Sequence, residues 1–294
     1  MVIRPARHPQ DLAALDRLFE ECRMADGHAP IGEHKYLALA AGTSVRSSGL
    51  IFEDDGTLVG YVQLDPRRGE EGWVLETAIH PGHRHPELIR EVLQSAVDLS
   101  AGAGGGPIRA WVYHPAVAEI MRKMGFRRER NLLQMRRPLP PGPAAVVPAG
   151  LRLASFRIDR DVERWIEVNN RAFEGHPENG RWSPEILAGR LRQPWFDSAG
   201  LLMAWQDDDL VGFCWTKIHP EALGEIYVIA IDPGYQGRSL GRWLTLEGLW
   251  DLHRRRGAST AMLYVDANNG PATGMYEDLG FELDHIDRSF VWEG

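Results

Sequence analysis

The sequence predicts an α/β protein built as a tandem duplication of one domain. The length of 294 residues fits two domains of roughly 150 residues each, and a hydrophobic content of 44% is ample for two cores. Short segments of the first half recur in the second half. A strand, a tight turn and a helix also follow one another near residue 230, in an arrangement typical of α/β folds.

The repeat appears as matching segments about 150 residues apart. In chain order the matches are Arg4 with Arg152, Gly60 with Gly212, Ala78–Gly82 with Ala230–Gly234, and Gly125 with Gly280. The stretch from Pro138 to Ala149 is rich in proline and has no periodicity, which is typical of a linker. We therefore predict domains at residues 1–138 and 150–294, joined by a linker at 139–149.

The second repeat contains a pattern that favours phosphate binding. The apolar run Ile226–Ile231 predicts a core strand, Asp232–Gly234 ends it, and the apolar spacing of Trp243–Trp250 predicts a helix. The amides at the start of that helix, the positive end of its dipole, and the side chains of Arg238 and Arg242 predict a pyrophosphate site.

The turn Gln236–Gly241 resembles the coenzyme A signature of the GNAT acyltransferases, Gln/Arg-x-x-Gly-x-Gly/Ala. Ser239 stands where that family usually has glycine, and its side chain narrows the approach of a phosphate or disfavours a positive φ. Taken alone, the six residues are equally compatible with an ordinary strand-to-helix turn.

A second part of the GNAT signature follows about thirty residues later. The strand Ala261–Val265 precedes Asn269, and a predicted helix then carries Tyr276 and ends in Leu279-Gly280-Phe281. Pro271 suits the first turn of this helix and Gly280 suits its C-terminal end. Together the two parts indicate the GNAT fold, and this resemblance implies a mixed α+β sheet in each repeat.

The resemblance also implies that acetyl-CoA is the co-substrate and that the second repeat binds it. The residues at the matching positions are Ile229, Ala230, Ile231, Gln236, Gly237, Arg238, Ser239, Leu240, Gly241, Arg242, Asn269, Gly270, Pro271, Ala272, Thr273 and Gly274. Where the second repeat has this turn, the first repeat has Arg84–Ile89, with a proline and an acid but no glycine. We expect the first domain to bind coenzyme A poorly, to be catalytically silent and to form one wall of the substrate cleft.

Beyond the general GNAT signature, the second half resembles one particular family, the mycothiol synthases. The stretches that carry this similarity include Asn170–Glu178, Pro194–Asp197, Trp215–His219, Gly224–Val228, Leu244–Gly248 and Leu263–Asp266, and the first half contributes Asp26–Glu33. Members of that family acetylate the cysteinyl amine of cysteinyl-glucosaminyl-inositol with acetyl-CoA, the last step of mycothiol biosynthesis. The resemblance implies this activity for the present chain.

Amide formation from a thioester needs a base for the amine and an acid for the departing sulfur. The family's base matches Glu225, which we expect to act through a water, and its acid matches Tyr276. The alternatives are a salt bridge at the strand end for Glu225 and a packed core aromatic for Tyr276.

The acceptor-binding residues implied by the resemblance are Glu33, Glu178, Lys217, Glu225 and Tyr264. Carboxylates and an ammonium suit the hydroxyls of a sugar and an inositol. Taken singly, each is also compatible with a solvated surface group. The histidines, including His176 and His219, lack the close spacing of a metal site, so we expect no metal.

Composition excludes several other classes of protein. The net charge of −8 disfavours a nucleic-acid partner, and the run His253–Arg256 is interpreted as the solvated end of a helix. Two distant cysteines, Cys22 and Cys214, do not suggest a disulfide framework. Since the start lacks a signal-peptide core and no apolar stretch approaches a membrane span, we expect a cytoplasmic protein with no membrane partner. We also expect a monomer that acts on a small molecule.

Two alternatives to the mycothiol reaction stay open. The first is a GNAT enzyme for another amine, such as an aminoglycoside, a polyamine or a protein N-terminus. The second is an acyl-CoA sensor without turnover, which Ser239 and the altered first domain favour and the retained Glu225 and Tyr276 disfavour.

Overall fold

The computed structural model describes residues 1–40, 42, 48–66, 71–144, 146–176 and 181–294, except for the side chain of His34. The predicted acceptor residue Glu178 lies outside these described residues. The α-helices in these ranges are α1 Leu12–Asp26, α2 Glu33–Ala40, α3 Pro86–Gly102, α4 Pro115–Lys123, α5 Val162–Ala172, α6 Pro184–Leu191, α7 Leu240–Arg254 and α8 Gly270–Asp278. The β-strands are β1 Val2–Pro5, β2 Ser48–Asp54, β3 Thr57–Pro66, β4 Trp73–Ile79, β5 Ile108–Val112, β6 Arg127–Pro138, β7 Leu151–Ser155, β8 Leu201–Gln206, β9 Asp209–His219, β10 Leu223–Ile231, β11 Thr260–Asp266 and β12 Glu282–Trp292.

The chain folds into two compact units. Unit 1 comprises Met1–Leu132 and Ile286–Gly294, and unit 2 comprises Leu133–His285. Strands β6 and β12 therefore each contribute residues to both units. These units are defined by compactness, with the proline-rich stretch in unit 2 and the end of β12 in unit 1. The boundaries at 138 and 150 were predicted from the sequence repeat and stay a prediction.

Unit 1 is a mixed sheet with helices on both faces. Its strand order is β1-β2-β3-β4-β5, followed by the unit 1 part of β12. Strands β4 and β5 are parallel, while β5 and β12 are antiparallel. On β3, Tyr61 packs with α1 in one apolar cluster and Val62 packs with α3 in another. Since neighbouring strand residues point to opposite faces, the two clusters lie on the two sides of this sheet.

Unit 2 repeats this architecture. Its strand order is β11-β10-β9-β8-β7, with the unit 2 part of β6 beside β11. Strands β10 and β11 are parallel, and β10, β9, β8 and β7 are antiparallel to one another in turn. On β9, Cys214 packs with α7 and α8, whereas Trp215 packs with α5 and α6 on the opposite face. The predicted fold class, two copies of a mixed α/β sheet domain, is confirmed.

The predicted bounds of the helix that carries Tyr276 are confirmed in α8. Asn269 accepts a hydrogen bond from the Ala272 amide at 3.3 Å and so caps the helix start. Pro271 lies in the first turn, where its missing N–H is not needed. Gly280 follows the helix with φ of 80°, a backbone conformation that favours glycine.

The charged end of α7 differs from its predicted solvated form. Arg256 is nearly buried, with 9% of its side chain exposed, and pairs with Asp251 of α7 and with Asp197. Asp251 also accepts a hydrogen bond from Thr216 on β9. The interpretation of the run as solvated is wrong for Arg256, because a buried carboxylate on α7 needs a cation beside it.

Within the described ranges, no helix combines the length and the apolar character that a membrane span requires.

Candidate active site

Strand β10 opens away from β11 in the middle of unit 2. In the described residues their parallel register covers four pairs, from Leu223 with Thr260 to Ile226 with Leu263. On its other edge, β10 shifts register against β9 between Ile226 and Val228, so Tyr227 is the extra residue of a β-bulge. The bulge bends the strand at the point where the pairing with β11 stops.

This opening exposes strand amides to a ligand. The Asp232 amide donates to the Val211 carbonyl of β9 at 2.9 Å. Because successive strand amides point to opposite edges, the amides of Ile229 and Ile231 point towards the β11 side, past the end of the four-pair ladder. Ala230, the third predicted residue of this set, directs its amide to β9 instead.

The turn between β10 and α7 contains backbone donors that have no backbone acceptor in the described residues. Gly237 has φ of 76° and Ser239 has φ of 59°, both in the left-handed region. In the described residues, the amides of Gly237, Arg238, Ser239 and Leu240 donate to no backbone carbonyl, as expected at a helix start. The Ser239 side chain makes no capping hydrogen bond. Serine thus adopts the conformation for which glycine is usual, at a cost of about 1 kcal/mol.

The side chains of this turn contact other groups and do not cap the described helix start. Arg238 lies 5.1 Å from the Tyr235 ring centroid, and Arg242 lies 3.9 Å from an Asp278 oxygen. Gln236 donates to the Ile231 carbonyl at 3.3 Å. A Cβ built on Gly241 would meet Met275 at 3.6 Å, an ordinary contact. The protein itself therefore does not require glycine at this position.

Glu225 lies at the start of β10, and its carboxylate is buried. The side chain is 8% exposed, and Oε2 lies 2.6 Å from His219 Nε2. In the sheet register, Glu225 lies opposite Lys217 on β9 and opposite Met262 on β11. The site therefore includes His219, which the sequence reasoning left without a role. The alternation of side chains along a strand could have indicated this residue, because Lys217 and His219 lie two residues apart and face the same side of β9.

Lys217 lies against an aromatic wall. Its Nζ is 4.5 Å from the Trp195 ring centroid and 5.1 Å from that of Tyr227, which places the ammonium over two π faces. The Tyr227 ring packs edge-on against Trp215 at 5.4 Å, and its hydroxyl accepts from Arg190 at 2.9 Å. The bulge residue is thus held from several sides. The sequence reasoning did not predict the roles of Trp195 and Tyr227.

Tyr276 lies on α8, 6% exposed, within the apolar cluster that also contains Leu240 and Leu244 of α7. Its ring packs edge-on against Phe281 at 5.8 Å. In the part of the chain that the structure describes, its hydroxyl makes no hydrogen bond. Burial raises the pKa of this phenol above its ordinary value, and the neighbouring Cys214 raises it further. The group therefore stays protonated at neutral pH, as a proton donor must.

The other predicted acceptor residues are more scattered. Tyr264 on β11 is 38% exposed, and its hydroxyl accepts from Gln134 at 2.6 Å. Glu33 begins α2 in unit 1. Glu178 cannot be placed, since it lies outside the described residues. Unit 2 thus brings together Glu225 and Lys217, in direct register, as the centre of the candidate site.

In its described residues, unit 1 differs from unit 2 at the matching positions. Strand β4 pairs with β3 without a register shift, from Gly60 with Ile79 to Pro66 with Trp73. Arg84 turns inward, makes a two-pronged ion pair with Asp26 at 2.6 Å, and donates to the Ile79 carbonyl.

The start of α3 in unit 1 is also closed. The His85 ring accepts from the Leu88 amide at 3.3 Å, and Pro86 occupies the first turn. The first turn of this helix therefore offers fewer open donors to an anion than that of α7.

Comparison with known proteins agrees with this fold. The profile of the acetyltransferase (GNAT) family matches residues 12–126 and 162–281. Mycothiol acetyltransferase of Thermomonospora curvata is 44% identical over 275 residues, which cover 92% of this chain and 90% of that protein. The Geodermatophilus obscurus mycothiol acetyltransferase is 38% identical, with coverage of 96% and 94%.

Solved structures agree on the fold. A tandem GNAT protein from the clavulanic acid biosynthesis pathway superposes with a TM-score of 0.77 at 18% identity, covering 99% of this chain and 98% of that one. A GCN5-related N-acetyltransferase from Sphaerobacter thermophilus gives 0.73 at 20% identity, with coverage of 99% and 95%.

The two matched segments and the two similar units define the class as a tandem GNAT acetyltransferase. Within that class, the chain belongs to the mycothiol acetyltransferase family. The resemblance to mycothiol synthases predicted from the sequence is thereby confirmed.

In the described ranges, no three His, Cys, Asp or Glu side chains are arranged to hold a metal ion.

Proposed function

We propose that the protein acetylates the cysteinyl amine of cysteinyl-glucosaminyl-inositol with acetyl-CoA, the last step of mycothiol biosynthesis. The observation that supports this most is Glu225, buried opposite Lys217 at the start of a bulged strand, in a chain similar over more than 90% of its length to mycothiol acetyltransferases. Unit 2 would carry out catalysis. Unit 1, with its unbroken β4 register and capped α3, is proposed to be catalytically silent.

The residues of unit 2 fit coenzyme A. The open amides of Gly237–Leu240 and the nearby guanidinium groups of Arg238 and Arg242 suit a pyrophosphate, and Asn269–Gly274 form the adjoining start of α8. The edge amides of Ile229 and Ile231 suit the pantetheine arm and the thioester carbonyl. Bound acetyl-CoA supplies the acetyl group as an activated thioester.

The glycine at position 241 tests this assignment. Gly241→Ala is expected to raise the KM for acetyl-CoA about tenfold, or ~1.4 kcal/mol, because a methyl group would occupy the space of the ligand. The free energy of unfolding should stay the same or rise by up to about 1 kcal/mol, since the new Cβ makes only ordinary contacts and alanine favours helix. Steady-state kinetics and denaturant unfolding measure the two effects. Loss of stability without a change in KM would contradict the assignment.

Glu225 is proposed as the base. It takes one proton from the acceptor ammonium, directly or through a water, and the amine nitrogen then attacks the thioester carbonyl carbon. A cysteinyl α-amine has a reference pKa near 8 against about 10.4 for lysine, a difference worth roughly 3 kcal/mol of deprotonation. A hydrogen-bonded carboxylate is sufficient for such an amine.

Tyr276 is proposed as the acid. When the carbon–sulfur bond breaks, its electron pair stays on sulfur, which takes the phenol proton. The phenolate then takes the second proton from the acceptor nitrogen. The proton that Glu225 took is released to solvent, so one proton is released per turnover. Because burial raises the pKa of Tyr276, the phenol is fully protonated before each cycle.

Tyr276→Phe is expected to lower kcat about 100-fold, because it removes the acid and keeps the packed ring. The KM values should change little, and the melting temperature should stay near that of the wild type. Tyr235→Phe, an exposed hydroxyl paired with Asp209, is the matched control and should keep normal activity. Equal kcat values for Tyr276→Phe and wild type would assign Tyr276 to packing alone.

The acceptor is proposed to bind through Lys217, Tyr264 and Glu225 of unit 2. Glu33 and Glu178 stay predictions from the family resemblance. Hydroxyl groups of a sugar and an inositol suit carboxylates, an ammonium and a phenol. We further propose that the enzyme is a cytoplasmic monomer.

The decisive experiment measures acetyl-CoA-dependent release of coenzyme A with cysteinyl-glucosaminyl-inositol and a panel of other amines at equal concentration. Strong preference for the cysteinyl acceptor is expected. Turnover of an aminoglycoside, a polyamine or a peptide amine alone would reject the mycothiol substrate and keep the reaction class. Silence on every acceptor, together with tight binding of acetyl-CoA, would favour a sensor.

A further inference from the structure

His219 is the polar neighbour of the proposed base, and neither the sequence pattern nor the proposed mechanism assigns it a role. We propose that His219 is a positioning residue that holds Glu225 Oε2, so that Oε1 receives the proton from the acceptor amine. This inference rests on the proposed function.

The proposed role of Glu225 assigns the donor in this contact. A base must be an ionised carboxylate, which only accepts hydrogen bonds, so His219 Nε2 is the donor to Glu225 Oε2 across 2.6 Å. Such a short contact is typical of a charge-assisted hydrogen bond. With 8% of the Glu225 side chain exposed, solvent satisfies little of this carboxylate, and the imidazole takes over that role.

The backbone explains why the two side chains meet. His219 ends β9, and the chain returns into β10 through Glu221 and Ala222, which both have positive φ, 63° and 57°. In the resulting register, Lys217 is directly opposite Glu225, and His219 is its diagonal neighbour. Diagonal pairs on one sheet face lie within reach of long side chains.

In the described residues, the other charged or polar groups near this strand pair have different contacts. The Lys217 ammonium lies over the rings of Trp195 and Tyr227. Arg190 of α6 donates to the Tyr227 hydroxyl. From β11, Tyr264 lies two residues after Met262, which faces Glu225. His219 differs from these groups because it contacts Oε2 and is also partly open to solvent, with 27% of its side chain exposed.

The position of the donor nitrogen along the side chain makes the inference testable. A glutamine side chain at position 219 can place its amide nitrogen near the position of Nε2, whereas asparagine reaches only the position of Nδ1. The variants His219→Gln and His219→Asn therefore have the same functional group and differ in reach. Glu221→Gln, an exposed change in the same turn, is the control.

The experiment measures kcat/KM for the preferred amine from pH 5.5 to 9.5. His219→Asn is expected to lose on the order of 10- to 100-fold at neutral pH, with the acid limb of the profile moved to higher pH, because the ionised carboxylate has lost its donor. His219→Gln should recover most of the activity and the position of the acid limb.

Equal loss in both variants with an unchanged acid limb, or wild-type behaviour in both, would overturn the inference. The proposed substrate is judged separately by the wild-type enzyme. If another amine is preferred, that amine serves for the pH profiles, and the role of His219 is still tested.

Discussion

Replacing Glu225 by glutamine is expected to lower kcat for acetyl transfer by about 10²–10⁴-fold at neutral pH. Glutamine keeps the size of the side chain, and its carbonyl oxygen can still accept from His219, but it cannot take a proton. The measurement is release of coenzyme A at saturating concentrations of both substrates. The melting temperature serves to show that the variant is folded.

The deficit should depend on pH. Above about pH 9 the cysteinyl amine is largely unprotonated, so the base is less needed and Glu225→Gln should approach the wild type. Glu221→Gln makes the same chemical change in the neighbouring exposed turn and is expected to leave kcat unchanged. Retention of more than a tenth of wild-type activity at pH 7 would assign Glu225 to a salt bridge at the strand end.

Replacing Asp251 by asparagine is expected to lower the free energy of unfolding by about 3 kcal/mol. This carboxylate, on α7, is buried with 5% of its side chain exposed, and it accepts from Thr216 at 2.8 Å and pairs with Arg255 and Arg256. The change removes the negative charge of Asp251, so the positive charge of the nearly buried Arg256 is balanced less well. Denaturant unfolding followed by circular dichroism gives the free energy.

Asp197→Asn is the matched control for this prediction. Asp197 contacts the same Arg256 at 2.9 Å, but 47% of its side chain is exposed. Exposed ion pairs contribute about 0–1 kcal/mol, so the expected loss is no more than that. Equal effects of the two variants would show that burial of Asp251 does not determine the strength of the network.

Much of the fold followed from local patterns. The repeated segments predicted two similar domains, and the run from Ile226 through the turn to Trp250 predicted a strand and a helix that are present as β10 and α7. Asn269, Pro271 and Gly280 marked the ends of α8. These features are readable because apolar periodicity, capping and glycine conformations act over a few residues.

The family could be predicted from the sequence for a different reason. The two parts of the GNAT signature lie on either side of one sheet opening, so ligand binding demands particular residue types at particular spacings. Glu225, Lys217 and Tyr276 were found through this resemblance. Their catalytic and binding roles remain predictions, which the proposed variants test.

The sequence by itself determined the two-domain α/β architecture, the family and the position of the turn that suits a pyrophosphate. Only the tertiary structure decided that Tyr227 forms the bulge, that Ser239 adopts a left-handed backbone, that His219 contacts Glu225, and that Arg256 is buried beside Asp251. The physical reason is that these features depend on the register between strands and on contacts between distant segments. Such contacts have no period in the sequence.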